Sequence, residues 1–325
     1  MHPKCLAIAV LIALSLPPLL SGAIRAAEAP AVVASILPVH SLVAGVMDGV
    51  GTPHLLLPGG ASPHAYALRP SDARQLSDAR IVFWVGEALE TFLERPLAAL
   101  ARKARVVELL EAKGLVRLPL RSGGVWDSHA EDSAGRKGNE PDDHHHKDDH
   151  YHKGVDAHVW LDPANARTIV VAAAAALAEV DPANAARYAS NANAMDARLR
   201  SLDTRLKNML QPVANKTYIV FHDAYQYLEW RYGLGAAGAV TVSPGRSPGA
   251  RRLIEIRTQI RAAKAACVFI EPQFEPRIAE TVVDGTGARI AVLDPLGAAL
   301  APGKEAYFAL MEGLASALVR CLAAR

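Results

Sequence analysis

The sequence contains no HExxH, no GxSxG and no GxxxxGK[ST], so the common zinc-protease, serine-hydrolase and P-loop mechanisms have no local support. An excess of charge of one sign is also missing: 35 Lys and Arg oppose 33 Asp and Glu, a formal net charge of +2. Removal of Lys4 and Arg25 with an N-terminal leader would bring that balance to about zero. A near-neutral body argues against nucleic acid as the main partner. The N-terminal apolar run, Leu6 to Leu20, is too short and, with Pro17 and Pro18, too broken to span a bilayer, which takes about 20 residues. Preceded by Lys4 and followed by the small residues Ser21, Gly22, Ala23, Ala26 and Ala27, it has the layout of a cleaved secretory signal over residues 1–26. Such a leader directs export, so the expected location is an oxidising compartment outside the cytoplasm. Cys5 precedes the run, where a lipid-anchoring cysteine would follow it.

Cysteine is scarce, and no CxxC occurs. Beyond the leader only Cys267 and Cys321 remain. In an oxidising compartment an even pair reads first as a disulfide, then as two buried thiols; two widely spaced cysteines make a thiolate metal site the weakest reading.

Histidine, by contrast, is concentrated. Between Asp142 and His158 the chain reads DDHHHKDDHYHKGVDAH, and six of its 12 histidines (His129, His144, His145, His146, His150 and His152) fall inside an insertion over residues 127–153 that is almost free of aliphatic side chains. Such a tract cannot bury a core, and it offers imidazoles and carboxylates to a borderline metal ion. Weak, auxiliary zinc binding is the expectation for it.

Around this insertion, short β-rich runs alternate with helical patterns. VVASIL (Val32–Leu37), HLLLP (His54–Pro58), RIVFWV (Arg80–Val85) and RVVEL (Arg105–Leu109) are separated by amphipathic stretches such as Pro70–Ala79 and Glu87–Lys103. HVWLDP at His158–Pro163 reads as a resumed strand before two helices. In the second helix Tyr188, Ala192, Met195, Leu199, Leu202, Leu206 and Met209 recur at three and four residues, one apolar stripe along about seven or eight turns. Strands are then expected at Thr217–Phe221, Ala239–Val242, Cys267–Ile270 and Arg289–Leu293, with helices at Ala224–Tyr232, Pro248–Ala265, Pro276–Asp284 and Lys304–Ala323. This rhythm implies parallel βαβ units. The expected fold is α/β: an N-terminal lobe over 27–180, a long connecting helix over 181–211 and a C-terminal lobe over 212–325, with a cleft between similar lobes that have parallel-rich sheets.

Ligands of open parallel sheets sit outside the carboxyl ends of the strands. His222 and Asp294 end strands, His64 follows one in the loop GGASPH, and His158 stands where order resumes after the insertion. Three neutral imidazoles and a carboxylate suit Zn²⁺ and disfavour Mg²⁺ and Ca²⁺. Each has a plainer alternative: His64 and His222 as helix caps, His158 as a solvated member of the tract, Asp294 as a turn residue. Glu271, in FIEPQF, is a carboxylate that supports a ligand from behind or substitutes for one. His40 and His54 read as structural or surface residues. Four protein ligands leave a metal closed, which suits holding it better than using it in hydrolysis.

At LLLPGGASPHAYALRPSD (Leu55–Asp72), DAHVWLDP (Asp156–Pro163), FHDAYQYLEWRYGL (Phe221–Leu234), IRTQIRAAKAACVFIEPQF (Ile256–Phe274) and LDPLG (Leu293–Gly297) the chain resembles the periplasmic metal-binding proteins of ABC importers, specifically the zinc-binding ZnuA type. The resemblance implies two lobes joined by a stiff helix and no catalysis. It also implies a monomeric protein that passes zinc to an inner-membrane ABC permease. It makes His64, His158 and His222 ligands, with Asp294 or water in the fourth place. Pro63 stands where some zinc-type members have an acidic residue, so no ligand comes from there. Manganese-type relatives tend to carry a carboxylate at the position of His222. The zinc type also has a disulfide matching Cys267–Cys321 and a His- and Asp-rich insertion before the second ligand. The rivals are a manganese or iron binder of the same family, a zinc-dependent hydrolase with Glu271 as its base, and a surface adhesin or metal buffer.

Deletion of Asp127–Lys153 is expected to leave one tight site and to lower the total zinc bound per chain; an unchanged stoichiometry in calorimetric titration would reduce the tract to a spacer.

Overall fold

The frame of the molecule is a pair of four-stranded parallel sheets. In this computed structural model, which describes residues 29–121, 126, 154–241, 249–274 and 276–324, the first sheet contains Val32–Ala34 (β1), His54–Leu55 (β2), Ile81–Trp84 (β3) and Arg105–Glu108 (β4), ordered β2-β1-β3-β4. The second repeats that topology with Thr217–Val220 (β5), Gly235–Ala239 (β6), Cys267–Ile270 (β7) and Arg289–Val292 (β8), ordered β6-β5-β7-β8. The central strands VVA, IVFW and CVFI are continuous apolar runs because helices cover both their faces. The leader 1–26 and the six histidines of the 127–153 insertion lie outside the described residues. No helix among the described residues is long and apolar enough to cross a membrane.

Two segments depart from the sequence expectation. VVASIL is a strand only to Ala34; Leu37–Val46 forms α1, with Pro38 in its first turn, where the missing N–H is harmless. Every residue of α1 is buried, so it has no polar face and no amphipathic signal. HVWLDP is not a strand: Val159–Leu161 is a 3₁₀ turn that feeds α4 (Pro163–Val180), whose start is capped by Asp162 accepting from Ala164 N at 2.8 Å. His158 therefore sits in a loop before that turn.

In the N-terminal half, α2 (Pro70–Asp78) and α3 (Glu94–Leu100) accompany α1. The connecting helix, α5 (Ala185–Leu210), buries the predicted stripe, with Leu210 in place of Met209 at its end. Its 26 residues span roughly 39 Å. The second sheet is packed by α6 (Gln226–Tyr232), α7 (Ala250–Ala262), α8 (Pro276–Val283) and α9 (Ala306–Leu322). The last of these packs on α5 and also returns to α1, so a second helix joins the two halves. Cys267 at the start of β7 and Cys321 near the end of α9 form a disulfide with Cα atoms 6.3 Å apart. In the chain-entropy model, closing that loop stabilises by about 4 kcal/mol.

A buried acid lies at the carboxyl end of the first sheet. Glu90 is 0% exposed, and its Oε2 accepts from Val85 N (2.8 Å) and Gly86 N (3.1 Å). Burial, with the Glu108 carboxylate nearby, raises its pKa from 4.5 to about 7 despite the backbone donors and Ser35. The folded protein thus holds a proton there that the unfolded chain releases at lower pH. This contribution is fully present below pH 4.5 and is lost as pH rises to about 7, a loss of about 3 kcal/mol. Glu90→Gln is expected to flatten this part of the stability–pH curve and to raise the melting temperature at pH 8, measured by calorimetry.

Candidate metal centre

Three imidazoles converge between the halves. His64 comes from the loop after β2, where Gly60 takes φ +84° and so supplies a turn that side chains resist. Neighbouring Gly59 meets the opposite half: a Cβ there would stand 2.3 Å from the carbonyl oxygen of Ala298. The far side of the loop is braced by Tyr66, whose hydroxyl donates to Asp72 Oδ2 at 2.8 Å and whose ring meets Phe92 edge-on. His158 precedes the 3₁₀ turn, and His222 follows β5 after one intervening residue, Phe221.

Two of the rings are held from behind by carboxylates. Asp156 Oδ1 accepts from both the backbone N (3.0 Å) and Nδ1 (2.8 Å) of His158. Glu271, at the end of β7, lies 2.5 Å from His222 Nδ1. Both contacts fix the tautomer and turn Nε2 toward the shared space. There the His158 and His222 Nε2 atoms are 3.3 Å apart, and one nitrogen from each of the three histidines lies within 4.8 Å of the others. Tetrahedral Zn²⁺ with nitrogens at its usual bond length has ligand edges of about 3.3–3.4 Å, so one edge of that polyhedron is already set.

Burial depresses the His64 pKa well below 6.5, and proximity to His222 and His158 adds to this, which leaves a free lone pair near neutrality. Burial alone would also lower His222, but the Glu271 carboxylate together with Asp223 and Asp156 outweighs it and raises the pKa. Trp160 packs 5.3 Å from the His158 ring and donates its indole N–H to Pro295 O at 2.9 Å, which closes the site on one side.

Asp294 is placed differently from the three histidines. Its Oδ1 accepts from Leu296 N (3.0 Å), Gly297 N (3.0 Å) and Gln273 Nε2 (3.3 Å), and its Oδ2 from Ala298 N (2.6 Å). Its carboxylate is therefore engaged in the turn that carries Leu296 to the site and Ala298 to Gly59. His40 bonds Pro53 O at 3.0 Å in the core, and His54 is exposed.

Sequence reasoning missed Asp156, Tyr227 and Arg121. Tyr227 accepts from Leu118 N (2.9 Å) and donates to Asp156 O (2.8 Å), pinning the short antiparallel stem at which residues 118–120 meet 154–156. Arg121 at the end of that stem grips Asp223, next to His222, and reaches Glu229 at 2.7 Å. The DAH spacing was the available signal for Asp156; nothing local pointed to a tyrosine and an arginine separated from it by long stretches of chain.

Two α/β halves with a nitrogen-rich cation site between them define a metal-binding solute-binding protein. The family model described as ZnuA, "Zinc-uptake complex component A periplasmic", matches residues 32–321, and the chain belongs to that family. It is 45% identical over 314 residues to the high-affinity zinc uptake system protein ZnuA of Brucella abortus, covering 93% of this chain and 94% of that one. Its counterpart of the same name in Yersinia pestis is 40% identical over 300 residues, covering 90% and 91%. Among solved structures, a crystal structure of ZnuA superposes with a TM-score of 0.73 at 24% identity, covering 91% of this chain and all of that one. The periplasmic zinc-binding protein TroA of Treponema pallidum gives 0.74 at 22% identity, covering 91% and 100%. At those identities the structural matches speak for the fold.

Proposed function

We propose that this protein captures Zn²⁺ with high affinity in the periplasm and delivers it to the permease of an inner-membrane ABC importer. The convergence of His64, His158 and His222 nitrogens, two of them already at tetrahedral spacing, carries this reading. Zinc is the transported substrate, and the three imidazoles are its protein ligands. Water takes the fourth place, because Asp294 has four hydrogen-bond donors to satisfy in its turn. Nitrogen ligands also favour zinc over manganese, which prefers carboxylate oxygen.

Catalysis has no place in this reading. A hydrolytic site needs a general base free to take a proton from metal-bound water, and Glu271 is committed to His222 Nδ1. Delivery requires the cleft to loosen. With α5 and α9 both joining the halves, that motion is a small shear and not a wide hinge opening. The 1–26 leader is the export signal, and the 127–153 histidines add weak, auxiliary zinc binding.

The alanine variant lacking all three imidazoles is expected to lose high-affinity zinc binding in calorimetry; full-strength binding would refute the ligand assignment, and a preference for Mn²⁺ in competition would refute the choice of metal. For the natural protein, zinc affinity is expected to fall as pH drops and protons compete for the ligands, with the fall setting in above pH 6.5 because the His222 pKa is raised from that value. Competition titrations from pH 8 to 5 measure this directly.

A further inference from the structure

The carboxylates behind the ligands have charge as well as shape. Asp156 is 1% exposed and Glu271 2%, and each bonds Nδ1 of a different ligand histidine. Among the described residues their ion-pair partners are those histidines, not an arginine or lysine. The second oxygen of Asp156 is buried with no hydrogen-bond partner. Other carboxylates near the site are engaged elsewhere: Asp223 by Arg121, and Asp294 by three backbone N–H groups. Burying carboxylates without a compensating cation is unfavourable, and the arrangement is retained where a cation arrives to balance it.

We infer that Asp156 and Glu271 are specificity-determining counter-charges, a pair of formal negative charges matched to a divalent cation held by three neutral imidazoles. This rests on reading the site as the zinc site. Each carboxylate sits directly behind its imidazole, on the side away from the metal, so it acts through the ring and also polarises it. The same contacts orient the rings, and orientation alone would serve any nitrogen-seeking cation equally. Charge would not: the Coulomb energy between a fixed carboxylate and the bound ion scales with the charge of the ion. A counter-charge therefore favours Zn²⁺ over a monovalent soft cation such as Ag⁺ by about twice as much in free energy.

Isosteric neutral variants separate the two roles. In Asp156→Asn the side-chain oxygen can still accept from the His158 backbone and Nδ1, and in Glu271→Gln the amide oxygen can still face His222 Nδ1. The test is chelator-competition titration of the full chain with Zn²⁺ and, in nitrate buffer, with Ag⁺, alongside apo-protein melting curves. Each neutral variant is expected to weaken Zn²⁺ about 10- to 100-fold. Ag⁺ should weaken by roughly the square root of that factor, so the Zn²⁺/Ag⁺ affinity ratio falls. Equal weakening of both cations would overturn the charge role and leave orientation alone. Unchanged zinc affinity in both variants would overturn the inference while the zinc reading stands. Failure of the natural protein to bind zinc would instead refute the zinc reading itself. Because the two carboxylates lie on different elements, loss of folding in one variant still leaves the other as a test.

Discussion

Three imidazoles within a few ångströms of one another repel as soon as more than one is charged, and they coordinate nothing if their rings turn the wrong nitrogen inward. The hydrogen bonds that His158 donates to Asp156 and His222 donates to Glu271 meet both constraints. They fix which nitrogen faces inward and place negative charge behind the rings, while burial keeps His64 neutral. Much of the surrounding architecture serves to hold these carboxylates. Glu271 stands at the end of β7 beside β5, where a 2-1-3-4 strand order reverses and leaves a crevice. Asp156 is held by a backbone stem and by Tyr227 from the other half.

Because the three histidines come from both halves, their convergence requires the halves to keep their relative position. Trp160 reaches Pro295, Tyr307 donates to Trp160 O at 2.7 Å, and Tyr227 ties Leu118 to Asp156. Arg231 lies 3.5 Å from Asp162 and also grips Asp203 on α5. These are buried or half-buried contacts spread along the interface. The two joining helices share the load, which suits a site preformed to within a small adjustment.

Much of this was legible in the sequence. Short β-rich apolar runs marked both sheets, whose central strands are covered on both faces, and a period of three to four marked the connecting helix and its stripe, which has one face in the core and one in water. Helix α1 was not legible because it has no wet face. The 3₁₀ turn after His158 was not, because an apolar VWL triplet is compatible with a strand until Asp162 and Pro163 are weighed as a helix start. That the three histidines come together was legible from where they stand relative to strand ends and order. What Asp294 does was not: a carboxylate at a strand end looks the same in sequence whether its lone pairs face a metal or a turn of backbone N–H groups. Asp156 and Glu271 differ in the same way. Glu271 ends a strand, so its position drew notice; Asp156 matters only through a contact within its own loop.

The antiparallel stem at residues 118–120 and 154–156 has a topological consequence. Chain entering at Arg121 returns at Gly154 beside its point of departure, with Leu120 N bonded to Gly154 O at 2.8 Å. The folded body thus closes this connection at its root. Lengthening a closed loop adds only about 0.6 kcal/mol of closure entropy per doubling. The fold can therefore host inserts of widely different length and composition at this point, and a reporter peptide or an alternative metal-collecting segment could be grafted there with the histidine site left in register.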